Sequence, residues 1–213
     1  MNYFKTNLCL IALMLISMSI SAQNTYPEEK RNAEYAITVT YNGQKPGIND
    51  FINAILDEPE DEYNGALAET WENYKTNKPL GDYKVTVDAK NGYVSFEQKS
   101  DDGYVAKTEF CYWNCSDTKH KVVAQSLQLY QNGKIVETEF TGVNFFIYNN
   151  AAKKLYYSTT SDMNIDLEID GNVYGIAYNL PRVGKDITAN VYSKNGKKDV
   201  VIKWNGLRFD KQK

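Results

Sequence analysis

Residues 83–98 read YKVTVDAKNGYVSFEQ, and this stretch decides the fold. Apolar and polar side chains alternate in both of its halves, with the period of two that is typical of a half-buried β-strand. The segment AKNG joins the halves. Asn-Gly between two alternating runs is the strongest short-range signal for a β-hairpin, because both residues tolerate the positive φ that a tight turn requires. The stretch therefore predicts two antiparallel strands joined by a short turn.

The same pattern continues toward the C-terminus. Alternating runs follow one another after residue 82, and Asn-Gly or Asp-Gly pairs separate several of them, at 132–133, 170–171 and 195–196. About ten strands joined mostly by short turns predict an antiparallel meander. Such a meander either curls into a barrel or folds into two packed sheets, since a flat open sheet exposes its edges. The predicted fold class is mainly β, in an α+β arrangement.

Two short helices are predicted before the strands, near residues 49–57 and 65–76. Their apolar stripes have helical spacing and consist of Phe51, Ile52, Ile55 and Leu56 in the first helix and of Tyr63, Leu67, Trp71 and Tyr74 in the second. Pro59 ends the first helix, and Pro79 follows the second. Both helices are expected to pack on the sheet, within a single β-rich domain of residues 34–213.

The N-terminal 22 residues have the pattern of a secretory signal peptide. Lys5 precedes an apolar run from Leu8 to about Ile20, and small residues follow as far as Ala22. The run is shorter than a membrane-spanning helix requires, and no lipid-attachment cysteine follows it. We therefore expect a secreted or periplasmic protein without a membrane span. Residues 23–33 are polar and lack periodicity, which predicts a flexible tail.

The charge distribution argues against nucleic acid as a partner. The chain has 24 Lys and Arg residues against 27 Asp and Glu residues, for a net charge of −3. Apart from the short run Lys119–Lys121 no basic patch stands out, whereas phosphate binding needs clustered cations. No glycine-rich loop suited to phosphates is found either, and we expect no cofactor.

The segment FCYWNCSDTKH, residues 110–120, is the stretch that most resembles a reactive site. In an extended strand the Cα atoms of Cys111 and Cys115 would lie about 13 Å apart. A disulfide needs roughly 7 Å or less, so it requires a turn between them. A disulfide and two reduced thiols both remain open. Zinc binding with His120 would supply only three ligands, and Cys-His catalysis has no further support.

The faces of this strand follow from its alternation. Lys107 and Glu109 share a face with Cys111 and Trp113, and their charges mark this face as the solvent side. Cys111 and Trp113 are therefore predicted to project outward near the end of the strand. The opposite face, which carries Phe110, is predicted to be buried.

Acidic clusters offer two weaker candidates. Glu137 and Glu139 lie about 7 Å apart on one strand, a separation found in inverting glycoside hydrolases. Alternation in VETEF, however, places both on the polar face of an ordinary strand. DLEIDG, residues 166–171, resembles the start of a calcium loop but has Ala177 where a bidentate Glu is required. We interpret both as surface strand positions, with no metal site.

Aromatic residues are the better candidates for binding. Tyr174 and Tyr178 lie on one face of a strand, opposite the small residues Gly175 and Ala177. Exposed rings of this kind stack on sugars or anchor protein partners. Aromatic pairs across strands are also ordinary contacts within a sheet. The predicted ligand-binding residues are Trp113, Tyr112, Trp204, Tyr174 and Tyr178.

Three runs of the chain carry a family resemblance: TVDAKNGYVSFEQ, TEFCYWNCSDTKHKVVAQSLQLYQNGK and EFTGVNFFIYNNAAKKL. Together they resemble exported proteins of uncharacterised function from Bacteroidetes-type bacteria. The resemblance extends from about residue 47 to residue 160, and Cys-Tyr-Trp-Asn-Cys-(Ser/Ala)-Asp is its most distinctive motif. It implies export and a shared fold, and it assigns no catalytic residue.

The sequence favours an exported, non-enzymatic binding module for a glycan, a small ligand or a protein. Its aromatic side chains would lie on a sheet face or in the mouth of a barrel. One alternative is a periplasmic inhibitor or assembly protein that contacts a macromolecule through residues 116–121. A hydrolase that uses the carboxylates of Glu137 and Glu139 is the weaker alternative.

Overall fold

The structure is a computed structural model, and it describes residues 26–57, 62–138, 141–165, 167 and 172–211. The predicted signal peptide, residues 1–22, lies outside this range. The helices are α1 Glu28–Arg31, α2 Ile48–Ile55 and α3 Glu62–Lys75. The strands are β1 Ile37–Thr38, β2 Tyr83–Asp88, β3 Tyr93–Lys99, β4 Tyr104–Asn114, β5 His120–Gln131, β6 Lys134–Val136, β7 Gly142–Asn149, β8 Lys154–Ser158, β9 Val173–Asn179, β10 Ile187–Ser193 and β11 Gly196–Ile202.

The strands form two antiparallel sheets, as the alternation predicted. The large sheet has eight strands in the order β1-β8-β7-β5-β4-β3-β2, with β6 paired to β5, and the small sheet has the order β11-β10-β9. In the described part of the chain, the outermost strands β1 and β2 are not paired with each other, so the large sheet is open. The mainly β fold is therefore confirmed, in its two-sheet form.

The two predicted helices cover one side of the large sheet, which we call the helix face. Leu67 and Trp71 of α3 are buried together with Ile52 of α2, and all three pack on Phe96 and Phe110 of the sheet. The two helices are also linked to each other, because the Trp71 indole N–H donates a hydrogen bond to the Asn53 side chain. Among the described helices, none is long and apolar enough to cross a membrane.

The small sheet covers the opposite side of the large sheet, which we call the inter-sheet face. Trp113, Val122 and Phe145 from the large sheet form one hydrophobic cluster with Ala189 and Ile202 from the small sheet. The prediction that the face carrying Trp113 is the solvent side was therefore wrong. The charges of Lys107 and Glu109 suggested exposure, but β4 lies inside the large sheet, and Phe110 on one of its faces and Trp113 on the other are both buried.

Glu109 explains how a charge is accommodated on that covered face. Its side chain is only 2% exposed. It accepts hydrogen bonds from the Tyr93 hydroxyl at 2.6 Å, the Gln128 amide at 3.2 Å and the Leu180 backbone N–H at 2.9 Å. Lys107 adds an ion pair at 2.7 Å. Because the carboxylate is fully partnered, Glu109 joins the two sheets instead of contacting solvent.

The predicted flexible tail is also packed from Tyr26 onward. Tyr26 and Glu28 are buried, and α1 begins at Glu28. The Glu28 carboxylate accepts hydrogen bonds from Arg208 at 2.9 Å and from Ser158 at 3.1 Å. The polarity of residues 23–33 suggested a tail, but in the described residues these charges have partners elsewhere in the chain. The segment closes the inter-sheet face beside the small sheet.

Candidate functional site

The candidate site arises where one predicted strand is interrupted. The run VETEF, which contains Glu137, was predicted to be a strand, but β6 ends at Val136 and β7 begins at Gly142. Both strands pair with the same edge of β5, β7 along His120–Leu127 and β6 along Leu129–Gln131. β5 passes from one partner to the other at Gln128, between these two pairings. Gly142 begins β7 with a φ of +140°, which glycine adopts readily.

Two adjoining cavities lie beside the point at which β5 changes partner. Together we call them the Tyr63 groove. Their volumes are about 350 and 340 Å³, within the range of small-molecule sites. Both cavities are bounded by Tyr63, Leu127 and Thr141. The cavities therefore meet at these three residues, below the N-terminal part of α3.

Tyr63 is fixed in position by the sheet beneath it. Its hydroxyl is hydrogen bonded to the side chain of Thr108, which is fully buried. Thr108 pairs with Leu127 across β4 and β5, so Tyr63 is held above the point at which the cavities meet. A wall that is anchored in this way is preorganised for a ligand.

The first cavity is rich in carboxamides. Asn64, Gln125 and Asn144 line it, and Gln125 donates a hydrogen bond to Asn64 at 3.2 Å. Gln125 and Asn144 are register partners on β5 and β7, so their side chains leave the same face of the sheet. The described lining is Tyr63, Asn64, Gln125, Leu127, Thr141, Gly142, Val143, Asn144, Thr160 and Tyr178.

The second cavity has an apolar floor. Ala106 pairs with Gln98 on one side and Leu129 on the other, so these three side chains form a row across three strands. Alanine is the short member of the row, and it leaves space above β4. The described lining is Tyr63, Gln98, Ser100, Tyr104, Ala106, Leu127, Leu129, Thr138 and Thr141.

A further feature of the groove is the chemistry of its described lining. Within the described residues, no Asp, Glu, Lys, Arg or His lines either cavity. Hydrogen bonding there comes from carboxamides and hydroxyls, which are both donors and acceptors. Such a lining can bind a neutral polar molecule.

The two predicted tryptophans lie elsewhere and contact each other. Trp113 is 4% exposed and stacks on Trp204 with ring centroids 5.7 Å apart. Phe209 packs edge-on against both rings, and the Trp113 indole donates to the Lys185 carbonyl at 2.7 Å. Trp113 therefore has no free ring face for a ligand. This pair joins the two sheets.

The structure does not bring the three predicted tyrosines together. Tyr112 lies on the helix face, where the Lys121 ammonium is 4.7 Å from its ring centre. Tyr174 is 51% exposed on the small sheet, near Tyr192. Tyr178 lines the first cavity and is the one predicted residue that belongs to the Tyr63 groove.

Cys111 and Cys115 are free thiols, and both are buried. Burial, reinforced by the Glu109 charge, raises the pKa of Cys111 well above its usual value. Burial also raises the pKa of Cys115 to about 11. Both cysteines are therefore protonated at neutral pH, and the reactive form of a cysteine is the thiolate. Of the two alternatives, the structure has reduced thiols.

His120 is held by carboxylates and not by the thiols. Its Nδ1 lies 2.5 Å from Asp117, and its Nε2 lies 2.7 Å from Glu29. In the portion of the chain that the structure describes, no group of three or more His, Cys, Asp or Glu residues is arranged to hold a metal ion. The segment 110–120 thus fastens the N-terminal segment to the large sheet.

The sequence did not identify most residues of the groove. Tyr63 was assigned to the helix stripe, and Ala106, Gln125 and Asn144 were not singled out. The one local signal was Thr141-Gly142, a turn-like pair within an otherwise strand-like run. Glu139 and the calcium-like residues Asp166, Glu168 and Asp170 lie outside the described residues.

Comparison with protein-family models, curated proteins and solved structures gave no match to this chain.

Proposed function

We propose that this protein is an exported, non-enzymatic binding module whose ligand is a neutral, hydroxyl-rich molecule of the glycan class. The ligand occupies the Tyr63 groove. The observation that carries the proposal is the composition of the groove: tyrosines, carboxamides and hydroxyls surround two adjoining cavities, and the described lining contains no charged side chain.

Such a lining suits sugars for two reasons. Their hydroxyls are donors and acceptors at once, which suits Asn and Gln side chains. Their ring carbons form apolar faces that pack on aromatic rings, and Tyr63, Tyr104 and Tyr178 supply such rings here. A phosphate or a carboxylate would instead need a cation, which the described lining lacks.

The positions of two sets of residues favour a binding module over a hydrolase and over an inhibitor or assembly protein. Glu137, proposed for the hydrolase, is not among the residues that line the cavities. Residues 116–121 were proposed to contact a macromolecule, but His120 and Lys121 are buried. Asp117 accepts hydrogen bonds from the backbone of Lys119 and of His120, which fixes the loop.

The test is a binding measurement with a panel of neutral mono- and oligosaccharides, by calorimetry or on a glycan array. Asn144→Leu removes one carboxamide at nearly constant volume and is expected to weaken binding about fivefold. Tyr104→Ala removes a ring and is expected to weaken it about tenfold or more.

Tyr174→Ala is the matched control, because it removes an exposed tyrosine outside the groove. It is expected to leave the affinity unchanged. Failure of the whole panel to bind would refute the proposed function. Binding that Tyr174→Ala abolishes and Tyr104→Ala leaves intact would move the site to the small sheet.

A further inference from the structure

The two halves of the Tyr63 groove differ in chemistry. In the first cavity, Gln125 and Asn144 place carboxamides on the surface of the sheet. In the second cavity, the corresponding surface is formed by Ala106, Leu127 and Leu129. The boundary between a hydrogen-bonding half and an aliphatic half falls where the cavities meet, at Leu127 below Tyr63.

The aliphatic half is not part of the protein core. Leu127, Leu129, Ala106 and Tyr104 belong to none of the three hydrophobic clusters formed by the described residues. All four are only partly buried, although they stand on a sheet face that α2 and α3 cover further along. Apolar surface that is left open beside a polar cavity is characteristic of a ligand site.

We infer that the ligand is a neutral glycoside with an apolar substituent: the sugar lies in the carboxamide half, and an alkyl or aryl group lies on Ala106, Leu127 and Leu129. This inference rests on the proposed function and specifies its substrate class. The glycosidic linkage passes from one half to the other at Tyr63, Leu127 and Thr141, where the two cavities meet.

The short side chain of Ala106 supports this assignment. Its neighbours in the row are Gln98 and Leu129, so the space above Ala106 is bounded by one amide and one aliphatic side chain. Gln98, Ser100 and Thr138 also line this cavity and supply polar groups at its edge. An apolar substituent on this floor would bury the open leucine surface, and a second sugar would gain less from it.

The experiment compares methyl, hexyl and phenyl glycosides of glucose, galactose, mannose and N-acetylglucosamine. Binding is measured by calorimetry, well below the concentrations at which hexyl glycosides form micelles. Each fully buried methylene increases affinity by a factor of about four. For the sugar that binds best, the hexyl glycoside is therefore expected to bind at least about tenfold more tightly than the methyl glycoside. The phenyl glycoside distinguishes a flat aryl group from a flexible chain.

Ala106→Leu fills the aliphatic half and provides the decisive variant. It is expected to lower the ratio of hexyl to methyl glycoside affinity from about ten to about one. Lys198→Leu is the matched control, because it adds the same side chain at an exposed position on β11. It should leave both affinities unchanged, and thermal unfolding checks that each variant is folded.

The outcomes separate this inference from the function on which it rests. Binding of methyl glycosides without any gain for hexyl or phenyl would overturn the inference and keep the proposed function. A hexyl gain that persists in Ala106→Leu would also overturn it. Failure of every glycoside to bind would overturn both. Hexan-1-ol that binds as tightly as the hexyl glycoside would overturn the sugar site in the carboxamide half.

Discussion

The two faces of the large sheet are closed in different ways. The inter-sheet face is sealed by the small sheet and the N-terminal segment, and the charges buried there have partners. Glu28 pairs with Arg208, and Glu109 has four contacts. The helix face is covered only in part, and its open portion is the Tyr63 groove. Substitutions on the sealed face should therefore affect stability, whereas substitutions in the groove should affect binding.

Trp113→Ala should have the largest effect. It removes a buried indole that packs on Trp204 and Phe209, and truncations of this kind cost about 3–5 kcal/mol of unfolding free energy. Urea unfolding followed by circular dichroism measures the change. Tyr174→Ala, which truncates an exposed ring, should cost less than about 1 kcal/mol. Equal stability of the two variants would contradict the sealed inter-sheet face.

Glu109→Ala should be the next most severe change, at about 3 kcal/mol, because it leaves the donors of Tyr93, Gln128 and Leu180 without their acceptor. The matched control is Glu97→Ala. Glu97 is on the same face of the neighbouring strand, but its partner Lys99 is exposed, so its loss should cost about 0.5 kcal/mol or less. A stable Glu109→Ala variant would show that the carboxylate does not join the sheets.

Local patterns predicted the elements of the fold, because hairpin turns and helical stripes are encoded by neighbouring residues. The assignment of faces failed for a different reason. Glu109 is stabilised by Leu180, which is 71 residues away in sequence, and Glu28 by Arg208, which is 180 residues away. No local window contains both partners, so each charge was interpreted as exposed.

The groove was missed because it depends on a choice of strand partners. The groove lies where the pairing of β5 changes from β7 to β6. Alternation alone does not specify which strands pair. Aromatic content was also an unreliable guide. Of the aromatic residues predicted to bind a ligand, Trp113 lies in the hydrophobic core, whereas Tyr178 lines the groove.

Tyr63→Phe tests the anchor of the groove wall, with a smaller effect. The variant loses the hydrogen bond to the buried Thr108, which should lower the unfolding free energy by about 1 kcal/mol. Tyr74→Phe is the control on the same helix, since Tyr74 is partly exposed and stacks on Trp71 through its ring. It should change stability by less than about 0.5 kcal/mol. A Tyr63→Phe variant as stable as this control would mean that the wall is held by packing alone.

Acid should produce the smallest effect. It should lower the stability of the fold without changing the affinity of the groove for sugar. Burial acts to raise the pKa of Asp117, but hydrogen bonds from His120 and from the backbone of Lys119 prevail and lower it below its usual value. The folded state therefore favours the carboxylate. This contribution to stability is present above the pKa of the unfolded chain, about 3.9, and is lost as the pH falls through the lower folded value.

Unfolding midpoints in urea at pH 7, 5 and 3 measure this contribution. Asp117→Asn should be less stable than wild type at pH 7 and 5, and the difference should shrink at pH 3, which lies below the pKa of the unfolded chain. The exposed Asp82→Asn is the control and should match wild type at pH 7 and 5. Sugar affinity should stay constant from pH 8 to 5, because the described lining of the groove has no group that titrates there. An affinity that changed in step with stability over this range would mean that the groove is coupled to Asp117. That result would contradict the separation of binding in the groove from stability elsewhere in the protein.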